Sequence, residues 1–151
     1  MLRKLLATPD DWTITLLRLV LGVVFFMHGA QKALGWFGGY GFSGTMGFFT
    51  QMGIPVALGR LAIAAEFLGG LGLVVGFLSR IAAFGILGNM LVAVLLIHIH
   101  VGFFMNWTGA QKGEGFEYHL LAAAIALTIM ISGAGAFSVD AALANGSNNS
   151  R

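Results

Sequence analysis

The chain contains no cysteine. That excludes a dithiol relay, an iron–sulfur cluster, a thiolate zinc site and a disulfide scaffold. Charge is also scarce. Only 9% of the 151 residues are Asp, Glu, Lys or Arg, against about 25% in a typical soluble domain. Eight cations and six anions leave a net charge of +2, too little for a nucleic-acid surface. What fills the chain instead is apolar: 58% of residues are hydrophobic, and the mean hydropathy is +0.88. This excludes disorder, which needs low hydrophobicity. Glycine is abundant, with 23 residues, about twice the usual share of roughly 7%. A soluble domain of this size cannot hide so much apolar surface. A water-soluble enzyme is therefore excluded, and a small all-α integral membrane protein remains.

Four apolar runs stand out, at about residues 14–30, 57–77, 81–99 and 116–133. Each is long enough to cross a ~30 Å hydrocarbon layer as a helix. Backbone groups find no partners in lipid, so helices are required. The expected architecture is a transmembrane four-helix bundle in a single domain, residues 1–143, with 144–151 as a disordered tail. The first run is not a cleaved signal peptide, because Arg18 interrupts it and His28-Gly29-Ala30 lacks a small-x-small cleavage site. Leu78, Ser79 and Arg80 join spans two and three as a tight antiparallel hairpin.

An even number of spans puts both termini on one side. That side holds Arg3, Lys4, Arg80 and Arg151, and the other holds Lys32, Arg60 and Lys112. The small excess predicts cytoplasmic termini and long outer loops. Trp12 marks the inner boundary, and Trp36, Tyr40, Trp107 and Tyr118 form an outer aromatic belt. Residues 35–49 are too apolar for a solvated loop and too glycine-rich for a span. They predict a short interfacial helix from about Ser43 to Met52, with Ser43 as N-cap and Pro55 leading into span two.

Several motif matches carry no function. Gly39, Gly41 and Gly44 satisfy G-x-G-x-x-G, but no strand precedes them and no βαβ unit surrounds them. Gly72 and Gly76 form a GxxxG pair suited to close helix approach. The sequons at Asn106, Asn145 and Asn148 matter only in a secreted eukaryotic protein.

The informative residues are the ionisable ones. Arg18 and Glu66 lie inside spans, where a lone charge costs at least ~2.5–3.5 kcal/mol. Counting inward from the span ends separates their depths by roughly 9 Å. Both sit on glycine-flanked stripes, so they are expected to meet as an intramembrane ion pair. Such a pair either fixes helix register or serves proton or substrate binding.

All four histidines fall at the outer span ends. His28 and Lys32 close span one, His98 and His100 close span three, and Glu117 and His119 open span four. Residues two apart on a helix point about 200° apart, so one of each pair faces the bundle. His100 shares a stripe with Leu96, Asn89 and Gly85, and Glu117 one with Leu120, Leu121 and Ala124. These counts place His100 and Glu117 inside and His98 at the periphery. His28, His100 and Glu117 are expected to line one cavity walled by Phe25, Phe103 or Trp36, with Lys32 and His119 beside it. No H-x-x-x-H or E-x-x-H spacing occurs within a span, so no metal site is expected. The cluster suits a quinone head, which needs an apolar cleft for its tail and polar groups to bind and protonate it. The plainer alternative is histidines that face water or headgroups.

The ordered set Arg18…Gly22…Phe25…His28-Gly29…Lys32, then Glu66-x-x-Gly69-Gly70, resembles the DoxX family of small four-span membrane proteins. Gly76-Phe77-Leu78-Ser79-Arg80, His100-Val101-Gly102-Phe103-Phe104 and Gly115-Phe116-Glu117-Tyr118 extend the resemblance. The segment Gly135-Ala136-Phe137-Ser138-Val139-Asp140 is similar to the family's closing Gly…Ser-Leu-Asp. The resemblance implies a bacterial or archaeal cytoplasmic membrane. Some relatives belong to a thiosulfate:quinone oxidoreductase, and others to oxidative-stress complexes with superoxide dismutase and a sulfurtransferase. It assigns no catalytic residue. Two classes of function are thus open. One is a quinone-linked redox subunit with partner subunits and no covalently bound cofactor. The other is a non-enzymatic scaffold or a small-solute or lipid-handling protein. Either is compatible with a homo-oligomer in the bilayer.

Overall fold

The computed structural model describes residues 5–146, and every described element is helical. Helix α1 runs Trp12–Leu34. Asp11 caps it, accepting the N–H of Thr13 at 2.7 Å and of Ile14 at 3.3 Å. A single 3-10 turn, Trp36–Gly38, leads to α2, Gly41–Gln51. Helix α3 is Val56–Val75 and α4 is Ser79–Leu96. A second 3-10 turn, His98–His100, ends that arm. Helix α5 is Glu117–Ser132 and α6 is Val139–Gly146.

The long helices pack in the cyclic order α1–α3–α4–α5, with α2 lying on α1 and α3. The α1–α3 contact is the most extensive and the α1–α5 seam much the thinner. Glycine makes the first possible. A Cβ on Gly29 would run into the backbone of Phe67, and one on Gly70 into the backbone of Phe26. Their absence lets the two backbones touch, as small residues do between membrane helices.

The core joins all four helices through Leu21, Phe25, Leu73, Ala83, Ile86, Met90, Ala122, Ala126 and Ile129. Its middle is dry: Leu21, Phe25, Leu73, Ile86 and Ile129 are at most 3% exposed. Large side chains point outward instead, among them Leu68, Phe84, Leu95, Leu121 and Ile131, each 60% or more exposed. An outer surface of large aliphatics is an arrangement for lipid rather than water.

Helices α1, α3 and α4 are long and apolar enough to cross a membrane. Helix α5 is apolar but has 16 residues, about 24 Å at 1.5 Å per residue. The predicted interfacial helix is present but begins at Gly41, and no side chain caps it. Ser43 is therefore inside the helix rather than its N-cap, because the left-handed Gly41 turns the chain earlier. The domain was expected to end at 143, yet α6 continues to Gly146. Arg3, Lys4, Arg151 and the rest of the expected tail lie outside the described residues.

Candidate functional site

Two polar clusters occupy opposite ends of the bundle. At the histidine end, Lys32 sits in the last turn of α1. Its Nζ donates to Glu66 Oε1 at 2.6 Å and also to Oε2. The Glu66 side chain is 7% exposed and that of Lys32 34%, so the pair reaches from the interior to the surface. Asn89 on α4 donates its Nδ2 to the Ala62 carbonyl at 2.8 Å and to Glu66 Oε1 at 3.4 Å. Asn89 thus ties α4 to one turn of α3 and satisfies a further lone pair of the carboxylate.

The Tyr118 hydroxyl lies within the field of the Glu66 charge. It is buried and has no hydrogen-bond partner, and the same holds for Nδ1 of His119. His119 is 7% exposed. Its ring lies 4.0 Å from that of His98 between centroids, and Lys32 and His28 act on it electrostatically. The rings of His28 and Tyr118 are 6.4 Å apart. Above them, the 101–116 segment is pinned by its own bonds. His98 Nδ1 meets the Glu114 carbonyl at 2.7 Å, and the Glu114 carboxylate accepts the Asn106 N–H at 2.7 Å.

The arginine end is built differently. Arg18 is 1% exposed, and all its bonds go to backbone carbonyls. Nε donates to Ala134 at 2.8 Å, one terminal nitrogen to Val74 at 2.9 Å and to Leu73, and the other to Phe137 at 3.3 Å. Leu73 and Val74 lie in the last turn of α3, where carbonyls lack their i+4 partners; Leu73 also accepts the Gly76 N–H at 3.2 Å. Asp140, 2% exposed, performs the opposite service for α4. It accepts the N–H of Leu78 at 2.8 Å and of Ser79 at 2.9 Å. A cation thus closes the C-terminus of one helix and an anion the N-terminus of the next, each matched to the local dipole. The segment between α5 and α6 passes beneath, fastened by Thr15 Oγ1 to the Ala136 carbonyl at 2.7 Å. Gly76 permits this clamp, because a Cβ there would meet both Ser138 and the Arg18 guanidinium.

Arg18 and Glu66 therefore do not meet, and the expected ion pair is replaced by Lys32–Glu66. The reason is register. Gly29 lies against Glu66 and Phe67, and Gly22 against Leu73 and Val74. Glu66 is thus level with Gly29, about 16 Å along α1 from Arg18 at 1.5 Å per residue, beyond the reach of an arginine.

The expected His28, His100 and Glu117 cavity is also rearranged. His28 is exposed on its helix but stands beside Tyr118. His100 is exposed and His98 takes the inward place, because α4 ends at Leu96 and the 3-10 turn changes the phase of both residues. Glu117 faces the 101–116 segment and accepts Trp107 Nε1 at 3.1 Å, while His119 is buried. Of the expected walls, Phe25 lies in the core and Phe103 and Trp36 are exposed. Asn89, Tyr118 and His98 are the additions. An Asn within an apolar span is costly, which was the available signal for Asn89. Among the described residues, no three His, Asp or Glu side chains are grouped to hold a metal ion.

A family model described as DoxX matches residues 13–99, more than half of the chain. The chain is 28% identical over 131 residues to "Inner membrane protein YqjF" of Escherichia coli (strain K12), covering 87% of this chain and 92% of that protein. It is 28% identical over 114 residues to "Putative oxidoreductase CatD" of Bacillus subtilis (strain 168), covering 76% of this chain and 75% of that protein. No solved structure gives a significant match.

Proposed function

The chain belongs to the DoxX family of membrane proteins, and on that premise we propose that it is a quinone-linked redox subunit of a bacterial or archaeal cytoplasmic membrane, working with partner subunits. The observation that carries this reading is the Tyr118 hydroxyl, buried without a hydrogen-bond partner and within the field of the Glu66 charge. A buried, unsatisfied hydroxyl costs about 1–3 kcal/mol, and a ligand carbonyl or hydroxyl removes that cost. His119 Nδ1 supplies a second such atom in the same cluster.

A bound quinone supplies two-electron, two-proton chemistry. Tyr118 and His119 hold its head. The Glu66 carboxylate and Lys32, one-third exposed, would set a charged pair near it that reaches the surface. The oxidoreductase name of the Bacillus subtilis relative supports the same reading. In this arrangement the chain crosses the bilayer four times, with α5 as the fourth span. The histidine end faces outward and the termini lie in the cytoplasm.

The test is purification in native lipid, followed by extraction and identification of bound small molecules and subunits. The expected result is quinone retained near one per chain, with a clear fall in Tyr118→Phe and Glu66→Gln. Retention no higher than the quinone share of the surrounding lipid, in wild type and variants alike, overturns the reading. Reporter fusions after Arg151 and within residues 36–50 test the orientation, and an external C-terminus reverses it.

A further inference from the structure

We propose that His98 is an acid-released latch over His119: charging both imidazoles drives the rings apart, loosens the 101–116 segment and uncovers the buried start of α5. The inference stands whatever ligand the cluster takes.

The latch is built from contacts of one side chain. His98 leaves the 3-10 turn after α4 half-buried. Its Nδ1 meets the Glu114 carbonyl at 2.7 Å. A carbonyl only accepts, so Nδ1 carries the hydrogen and the ring ties the segment down. The same ring lies on His119, with centroids 4.0 Å apart and planes tilted by 38°. His119 is 7% exposed, and the buried Gly115 backbone of the segment faces its ring. Its Nδ1 has no partner. His98 thus covers a buried imidazole and holds the loop above it.

Protonation is the release because no countercharge meets the pair. From α1, His28 and Lys32 act on His119, and neither is an anion. From α3 comes Glu66, but its carboxylate accepts Lys32 on both oxygens and Asn89 on one. In the segment, the Glu114 carboxylate turns to the Asn106 N–H at 2.7 Å. On α5 itself, Glu117 accepts Trp107 Nε1 at 3.1 Å, and Tyr118 is a phenol. Among the described residues, no carboxylate pairs with either imidazole.

The closed pair therefore suits neutral rings, whereas charge on both sets two cations face to face beside Lys32. With His98 swung outward, both rings meet water and His119 Nδ1 gains a partner. The open form binds more protons, so falling pH favours it. Hydrated imidazoles titrate near about 6.5, and opening grows only below that pH. The base of the segment stays paired through Gly115 N–H to Phe104 at 3.1 Å, Phe116 N–H to Gly102 at 3.1 Å and Glu117 N–H to Phe103 at 2.9 Å. What loosens is residues 105–114.

The experiment uses the full chain in lipid nanodiscs. The chain has no cysteine, so Thr108→Cys, at an exposed position of the segment, takes a single nitroxide label. Its mobile-to-immobile ratio is read by electron paramagnetic resonance from about pH 8 to about pH 5, the range in which histidine changes charge. Expected is a flat profile above neutrality, then a reversible rise of up to about tenfold per pH unit for each extra proton bound, with helix content unchanged. His119→Gln and His98→Gln each flatten the profile, and either decides the matter if the other does not fold. His100→Gln, exposed and outside the pair, leaves the rise in place. A flat wild-type profile overturns the latch. So does a rise that persists in both pair variants, one that is lost in His100→Gln, or one that comes with loss of helix.

Discussion

Lys32 and Arg18 are carried by the same helix, and each has to place a positive charge in an apolar bundle. Lys32 does so with a titratable partner, the Glu66 carboxylate, and remains one-third exposed. Arg18 does so with four backbone carbonyls and is sealed from solvent. The difference separates chemistry from architecture. Carbonyls do not titrate and a guanidinium stays charged, so the bonds of Arg18 serve to hold the helix ends together. The histidine end instead gathers a lysine, a carboxylate, an unsatisfied phenol and two close, tilted imidazoles, groups of the kind used in proton chemistry.

The largest test of this contrast is Arg18→Leu. It strips the donor from the carbonyls of Leu73, Val74, Ala134 and Phe137 and leaves Asp140 without its countercharge. A loss of about 3–5 kcal/mol is expected, read from thermal unfolding of the reconstituted protein. A loss below ~1 kcal/mol would mean that the clamp is not structural. Next is Gly29→Ala, whose Cβ has no room against Phe67. It should cost about 1–3 kcal/mol by overpacking and weaken quinone retention as well, because the same contact sets the height of Lys32 over Glu66. Unchanged stability would show that the α1–α3 register is loose. Asp140→Ala should cost about 1–2 kcal/mol through the lost cap and dipole contacts, again in unfolding. Its effect should be non-additive with Arg18→Leu and absent from quinone retention.

The smallest effect is at the histidine end. Lys32→Met and Glu66→Gln should couple by about 1 kcal/mol in a double-mutant cycle, since the pair is partly solvated. Arg18 and Glu66 should add within ~0.5 kcal/mol. Strong coupling between the last two would erase the distinction between the ends.

The sequence disclosed the architecture well and the site unevenly. Long apolar runs in lipid have one outcome, so the helices fell close to their expected places. Glu117 and His119 show why facing directions did not. Counting Glu117 with Leu120 and Leu121 takes large aliphatics as interior, the habit of soluble proteins. Here those leucines face outward, and His119 lines up with the small Ala122 and Ala126 inside, as close packing between membrane helices favours. The Arg18 partners were hidden for another reason. They are carbonyls, identical in every residue, brought together by the end of α3 and the fold of residues 133–140 and not by any side chain. The only hints were Gly133, Gly135 and the Ser138–Asp140 pair, whose side chains then cap α6 and α4. Lys32 was expected beside the histidines, but its partner Glu66 depended on a register that no local pattern encodes.

The dry layer of Leu21, Phe25, Leu73, Ile86 and Ile129 has an electrical consequence. In a bundle that crosses an energised membrane, the part-hydrated cluster at Glu66 and Lys32 brings the potential of one surface inward. The voltage drop then concentrates across the layer, as a field does across the thinnest insulator. One elementary charge moved through the full drop changes energy by about 2.3 kcal/mol per 100 mV. The hydrocarbon layer thus works as the dielectric of a small capacitor, with Lys32 and Glu66 on one plate and Arg18 and Asp140 on the other. A charge displaced within the histidine end alone should therefore feel little of the membrane voltage, and the chain should pass no current of its own.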